Sequence, residues 1–223
     1  MKKTIIFDNE WIIVKNDWNK VAETISNKLS VPLLSGSKLK QSFRLYDKTP
    51  ENPNGNSDNP LYLCNRGLIT SDQLWAEVLQ SPAYDLEPTT ERIKIMSSAM
   101  SKLTTDVDQD TVNLISKLKN EGYKLFILSN STPDIYQGNR ERHDYFNNFE
   151  KSYFSFDSGF RKPEEGAYLT LLNENCLKPK DCIFIDDKQE NLDGAERLGM
   201  IPLYHKIGDV DKLEGKLREL LLE

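Results

Sequence analysis

Cysteine is scarce in this chain of 223 residues. Cys64, Cys176 and Cys182 form an odd set without metal-ligand spacing. They read as reduced thiols in a cytosol-like compartment. Cys182 lies in an apolar run and is expected to pack in a strand, with a reactive thiol as the alternative. Basic residues do not predominate either. Twenty-nine Lys and Arg against 35 Asp and Glu leave a net charge of −6. That argues against a general nucleic-acid binder and, more weakly, against an anionic membrane surface. No apolar run is long enough to cross a bilayer. The basic Met1-Lys2-Lys3 start is followed only by a short apolar run that stops at Asp8, without the cleavage site of a signal peptide. The two histidines, His143 and His205, are isolated and read as structural or exposed. There is no internal repeat. What is present, 38% hydrophobic and 29% charged residues, describes a globular protein of one domain or of a core with an inserted unit. A cytoplasmic monomer or homodimer is expected, with neither nucleic acid nor membrane as partner.

The chain begins with its most informative stretch. Thr4 to Phe7 is apolar, β-branched and aromatic, the pattern of a buried strand. It ends on Asp8-Asn9-Glu10. An acid at the end of a buried strand either caps the following turn or belongs to a site that compensates its lost hydration. Trp11 to Val14 stays apolar and is expected to lead out of the core. From Asp17, a helix cap, to about Lys102 the periodicity is mostly helical, without strong strand candidates. Leu39, Phe43 and Tyr46 suggest a helix, and the polar stretch from Asp47 to Pro60 a surface loop or a lid. Capped helices are expected from Ile69 to Leu79 and from Thr89 or Thr90 through Met100.

After Thr105 helix and strand alternate. Helices are expected over 107–120, 134–149, from Pro163 through Leu172, over 191–198 and over 211–222. Strands are expected over 123–128, 153–156, 182–185 and 200–204. This is the pattern of an α/β fold, a parallel sheet with helices on both faces. Residues 1–16 and 103–223 form a Rossmann-like core in this reading, with 17–102 as an inserted helical unit. Three of the strands end in polar residues: Asp8 with Glu10, Ser129 with Asn130, and Asp186 with Asp187. Lys162 stands just before a helix. Right-handed crossovers bring all strand carboxyl ends to one edge of a parallel sheet, so these groups should converge.

These residues resemble the four motifs of the haloacid dehalogenase superfamily of phosphohydrolases. Asp8-Asn9-Glu10 matches the first motif and Ser129 the second. Lys162, in Phe160-Arg161-Lys162-Pro163-Glu164, matches the third. Asp186-Asp187, followed by Asn191, Ala195 and Leu198-Gly199-Met200, matches the fourth. The inserted unit occupies the place of the family's helical cap. The resemblance implies a Mg²⁺-dependent phosphatase of a small phosphorylated metabolite, a sugar phosphate being one candidate, because a cap over the site would exclude macromolecules. Asp8 would be the nucleophile that carries an aspartyl-phosphate. Ser129, Asn130 and Lys162 would bind the phosphate. Asp8, the backbone carbonyl of Glu10, and Asp186 would ligate Mg²⁺, while Asp187 ligates through water or holds Lys162.

Two positions depart from the family pattern. Glu10 stands where an aspartate usually serves as general acid and base; it keeps that chemistry with one more methylene, or has another role. Trp11 stands where a small glycine is common, and either narrows the pocket or packs beneath the cap. Arg161 and, in the insert, Arg44, Tyr46 and Arg66 are further candidates for substrate contact. The rival readings are a phosphomutase, a phosphate-binding protein without turnover, and a dehalogenase, against which the paired acids 186 and 187 count.

Overall fold

In the computed structural model, residues 2–32, 35, 36, 39 and 59–222 are described. The segment carrying Phe43, Arg44 and Tyr46, and the expected loop up to residue 58, lie outside these residues. In chain order the strands are β1 (Thr4–Phe7), β2 (Val14–Asn16), β3 (Thr104–Val107), β4 (Lys124–Ser129), β5 (Lys151–Phe154), β6 (Cys182–Asp186) and β7 (Ile201–Tyr204). The chain divides into two compact units. One comprises Met1–Asn16, Asp106–Asn130 and His143–Glu223; the other comprises Asp17–Thr105 and Ser131–Arg142.

The first unit holds one parallel sheet in the order β5-β4-β1-β6-β7. Its strands are the five apolar runs expected after reading the sequence. Burial on both faces explains the continuous apolar character of the central strands β1, β4 and β6. On one face Ile6, Phe126 and Phe184 pack with Tyr168, Leu171, Leu172, Leu192 and Ala195, from the helices Glu165–Glu174 and Gln189–Arg197. The alternate residues Ile5, Phe7, Leu125, Ile127, Ile183 and Ile185 are equally buried. The helix Gln109–Asn120 lies against β4 and also meets the terminal helix Val210–Leu222.

Several boundaries differ from the sequence reading. Ile12, Ile13 and Val14 were expected to lead out of the core, yet all three are fully buried. The Asn9–Val14 segment folds back tightly, with the N–H groups of Ile13 and Val14 donating to the Asn9 carbonyl. The helix expected over 134–149 is two pieces, Pro133–Arg142 and a 3₁₀ stretch Asp144–Asn148. Ser155 and Phe156 were expected to extend β5 but begin a helical turn, Ser155–Ser158.

The second unit is built on helices Trp18–Leu29, Pro60–Asn65, Ser71–Gln80, Thr90–Met100 and Pro133–Arg142. Asp17, Thr70 and Thr89 cap three of them through their side chains, as the sequence suggested. Val21, Ile25, Trp75, Val78, Met96, Met100 and Ile135 share its core. Asp134 ties this unit together, accepting from Trp75 Nε1 at 2.7 Å and from the Ser97 hydroxyl at 3.0 Å. Gly138 allows the closest approach: a Cβ there would sit 1.9 Å from the Ser101 carbonyl oxygen. Gly138→Ala should therefore destabilise the protein by about 1–3 kcal/mol through overpacking against rigid backbone. Denaturant unfolding measures this, and an unchanged midpoint would contradict the close packing. Among the described residues no helix is long and apolar enough to cross a membrane.

Candidate active site

The sheet order determines where chemistry gathers. From β1 the chain runs outward through β4 and β5, then returns to place β6 and β7 on the opposite side of β1. The reversal makes the carboxyl ends of β1 and β6 the switch point of the sheet, the usual ligand position in such folds. Phe7 pairs with Ile185 and with Ile127. One residue further along, Asp8 stands level with Asp186, and the Asp8 N–H donates to the Ile185 carbonyl at 2.8 Å.

Lys162 enters between the two acids. Its ammonium lies 2.9 Å from Asp8 Oδ1 and 2.7 Å from Asp186 Oδ2, over the Phe184 ring at 5.1 Å. Lys162 is 3% exposed, which excludes a surface lysine. Burial alone would lower its pKa, but Asp186 and Asp8 outweigh that and raise it. The Asn130 side chain grips the same residue from both sides: its Nδ2 donates to the Lys162 carbonyl at 3.0 Å, and its Oδ1 accepts from the Lys162 N–H at 2.9 Å. β4 thus positions the lysine that a distant loop supplies.

The two neighbouring acids of β6 have different surroundings. Asp186 is fully buried and well supplied with donors. Oδ1 accepts from the Lys188 N–H at 2.9 Å, Oδ2 from Lys162, and Asn191 Nδ2 lies 3.0 Å from both. Those contacts occupy about all four acceptor directions of a carboxylate. The Tyr168 hydroxyl donates to the Asn191 carbonyl at 2.7 Å and steadies that residue. Asp187, by contrast, has a buried Oδ1 without a hydrogen-bond partner. Burial raises its pKa, and Asp186 adds to the effect. Asp186 is therefore the acid that holds Lys162, the role the sequence reading offered as one of two for Asp187, and Asp187 is the one with an open oxygen.

Asp8 is 4% exposed, and burial pushes its carboxyl up to about 6, with Lys162 opposing and Asp186 reinforcing. Its Oδ1 also accepts from the Asn9 N–H at 2.7 Å, and the Ser129 hydroxyl hydrogen-bonds the same carboxyl. Asn9 is held in turn by the Tyr145 hydroxyl at 2.7 Å. One carboxylate oxygen from each of Asp8, Asp186 and Asp187 falls within a 4.8 Å cluster. Lys162 pairs with Asp8 and Asp186, and the unpartnered oxygen of Asp187 adds a third acidic donor to the same cluster. A divalent cation with hard oxygen preference fits such a donor set.

Glu10 stands outside the acid cluster, with its side chain partly buried. Burial and the nearby Asp8 charge push its carboxyl up to about 7, against the hydrogen bond from Asn16. Trp11 has φ 63°, the left-handed conformation. Glycine reaches it freely and other residues at about 1–2 kcal/mol, which is the physical reason a glycine suits this turn.

Asp8, Ser129, Asn130, Lys162, Asp186 and Asp187 thus meet at one sheet edge. Cys182 packs in β6, its thiol pushed up to about 12 by burial. His205 is buried, His143 and Arg161 partly so. The sequence reading missed the side-chain clamp of Asn130, the hold of Tyr145 on Asn9, and Asn16. Asn16 carries no motif signal; only the fold-back after Glu10 brings it close.

Comparison with known proteins follows the same direction. A family model described as haloacid dehalogenase-like hydrolase matches residues 69–203, over half of the chain. A sesquiterpene phosphatase of Aspergillus oryzae is 32% identical over 98 residues, 44% of this chain and 50% of that protein. The chain thus matches only about half the length of that relative. A haloacid dehalogenase family enzyme from Bacteroides thetaiotaomicron, solved with magnesium and inorganic phosphate, superposes with a TM-score of 0.73 at 20% identity, over 93% of this chain and 96% of that one. An L-2-haloacid dehalogenase from Xanthobacter autotrophicus superposes with a TM-score of 0.63 at 19% identity, over 91% and 76%. At these identities the solved structures speak for the fold.

Proposed function

Since the chain belongs to the haloacid dehalogenase-like hydrolases, we propose that it is a Mg²⁺-dependent phosphatase acting on a small phosphate monoester through Asp8. The observation that carries this reading is the cluster of Asp8, Asp186 and Asp187, with Lys162 bridging the first two and an oxygen of the third left open. A dehalogenase attacking carbon needs a carboxylate but no cation, and would have no use for the open oxygen of Asp187. The phosphatase name of the Aspergillus relative, and the magnesium and phosphate bound by the Bacteroides enzyme, support the same choice.

Asp8, Asp187 and the backbone carbonyl of Glu10 would hold Mg²⁺. When bound there, the ion supplies positive charge next to the transferring phosphoryl group. The chain's own groups do the rest. The Asp8 carboxylate attacks phosphorus, the bond from phosphorus to the ester oxygen breaks, and Glu10 gives its proton to that oxygen as the alcohol leaves. Water then attacks the aspartyl-phosphate and passes a proton to Glu10, releasing phosphate and the Asp8 carboxylate. The Ser129 hydroxyl and the Asn130 N–H donate to the phosphate oxygens. Lys162 has two of its three N–H bonds directed at Asp8 and Asp186, which leaves one for the substrate.

The test is a panel of sugar phosphates, prenyl phosphates and nitrophenyl phosphate, with Mg²⁺ and with EDTA. Hydrolysis is expected only with the metal, and Glu10→Gln should lower it by about 10²–10⁴-fold. Full activity in Glu10→Gln would remove the acid/base assignment. Halide release from a 2-haloacid without metal, and no phosphate release, would overturn the phosphatase reading.

A further inference from the structure

We propose that Asn16 is the positioning residue for Glu10: its side-chain amide fixes the carboxyl that exchanges protons with the leaving group and with water. The inference rests on the acid/base reading of Glu10 given above. Glu10 has one more rotatable bond than the aspartate usual at this place, so its carboxyl has more freedom to lose. A displacement of about 1 Å in a catalytic group can cost on the order of 10²-fold in rate. Something must therefore restrain it.

The local fold supplies that restraint. After Glu10 the chain turns back on itself, Trp11 N–H donating to the Val14 carbonyl at 2.8 Å and Ile13 N–H to the Asn9 carbonyl at 2.9 Å. A bridge between Glu10 and Val14 starts the return, and β2 follows at once. Two residues beyond Val14, Asn16 comes back beside the acid, and its Nδ2 donates to Glu10 Oε2 at 2.8 Å. The other end of the same amide, Oδ1, is buried without a hydrogen-bond partner. An asparagine kept for structure normally has both ends paired when buried. The hydrogen bond from Nδ2 to Glu10 is therefore the contact that orients this amide, and it points the side chain at the carboxyl.

The experiment measures kcat/KM with Mg²⁺ across phosphate monoesters graded from nitrophenol to simple alcohols as leaving groups. It compares wild type, Asn16→Ala, Asn16→Asp and Glu10→Gln. This parameter reports the steps up to loss of the alcohol, where the proton is needed most by the poorest leaving groups. Asn16→Ala should lose about 10–10²-fold on alkyl phosphates, with the loss shrinking steadily toward nitrophenyl phosphate. The isosteric Asn16→Asp, which as a carboxylate offers Glu10 no donor, should show the same gradient and keeps the test open if the alanine variant does not fold. A loss equal across the series, or none, overturns the proposal. If Glu10→Gln shows the gradient and the Asn16 variants do not, only the role of Asn16 fails. If Glu10→Gln shows none, the acid/base reading itself fails.

Discussion

Asp8→Asn should abolish phosphate ester hydrolysis, with kcat lowered by at least about 10⁴-fold, while the protein stays folded. The neutral amide is nearly isosteric, so the Asn9 N–H keeps an oxygen partner. Lys162 keeps Asp186 at 2.7 Å. What is lost is the negative oxygen that forms the bond to phosphorus, and the open oxygen of Asp187 does not replace it because in the proposed site it holds Mg²⁺. Asp186 has its acceptor directions occupied, and Glu10 stands outside the acid cluster. Stability should not fall much, because burial and Asp186 both disfavour the ionised Asp8. Initial rates with Mg²⁺, together with thermal unfolding of the same sample, make the measurement. Turnover that survives in a folded Asp8→Asn variant would assign the nucleophile elsewhere.

Lys162→Met should have the largest effect on stability, a loss of about 3–5 kcal/mol in the absence of metal. Methionine fills a similar volume and removes only the ammonium. Asp8 and Asp186 then remain buried, side by side, without their cation. The penalty comes from that uncompensated charge rather than from the net value of the ion pair, so it should shrink when Asp8→Asn is added. A double-mutant cycle by denaturant unfolding in EDTA reads this coupling directly. Mg²⁺ should restore part of the loss, since an ion bound only by the native state stabilises it. A Lys162→Met variant as stable as wild type in EDTA would mean that the ammonium does not compensate these acids.

Both results turn on features whose visibility in the sequence differs. β1, β4 and β6 were legible because strands buried on both faces must be apolar without interruption, and their polar ends stand out by contrast. The parallel order that joins those ends followed from the alternation of helix and strand. The break after Arg142 was not legible, because residues 143–149 keep a helical apolar spacing while tertiary packing turns them into a 3₁₀ stretch. Nor was the burial of Ile12 to Val14, which depends on a tight return after Asn9 that no local residue announces.

The sequence by itself determined the chemical inventory and its address: three strand ends and a lysine, delivered to one edge of a parallel sheet. It did so because strand propensity and apolar runs are local properties, and topology carries them to a common place. Only the tertiary structure decided how the residues share the work. Asp186 and Asp187 are identical neighbours with the same local signature. Lys162 Nζ and Asn191 Nδ2 close on one and leave an oxygen of the other open. Asn16 shows the same principle, since its partner Glu10 is reached through a fold-back rather than a motif. Contacts of this kind depend on positions set by packing across the whole unit, and no short stretch of residues encodes them.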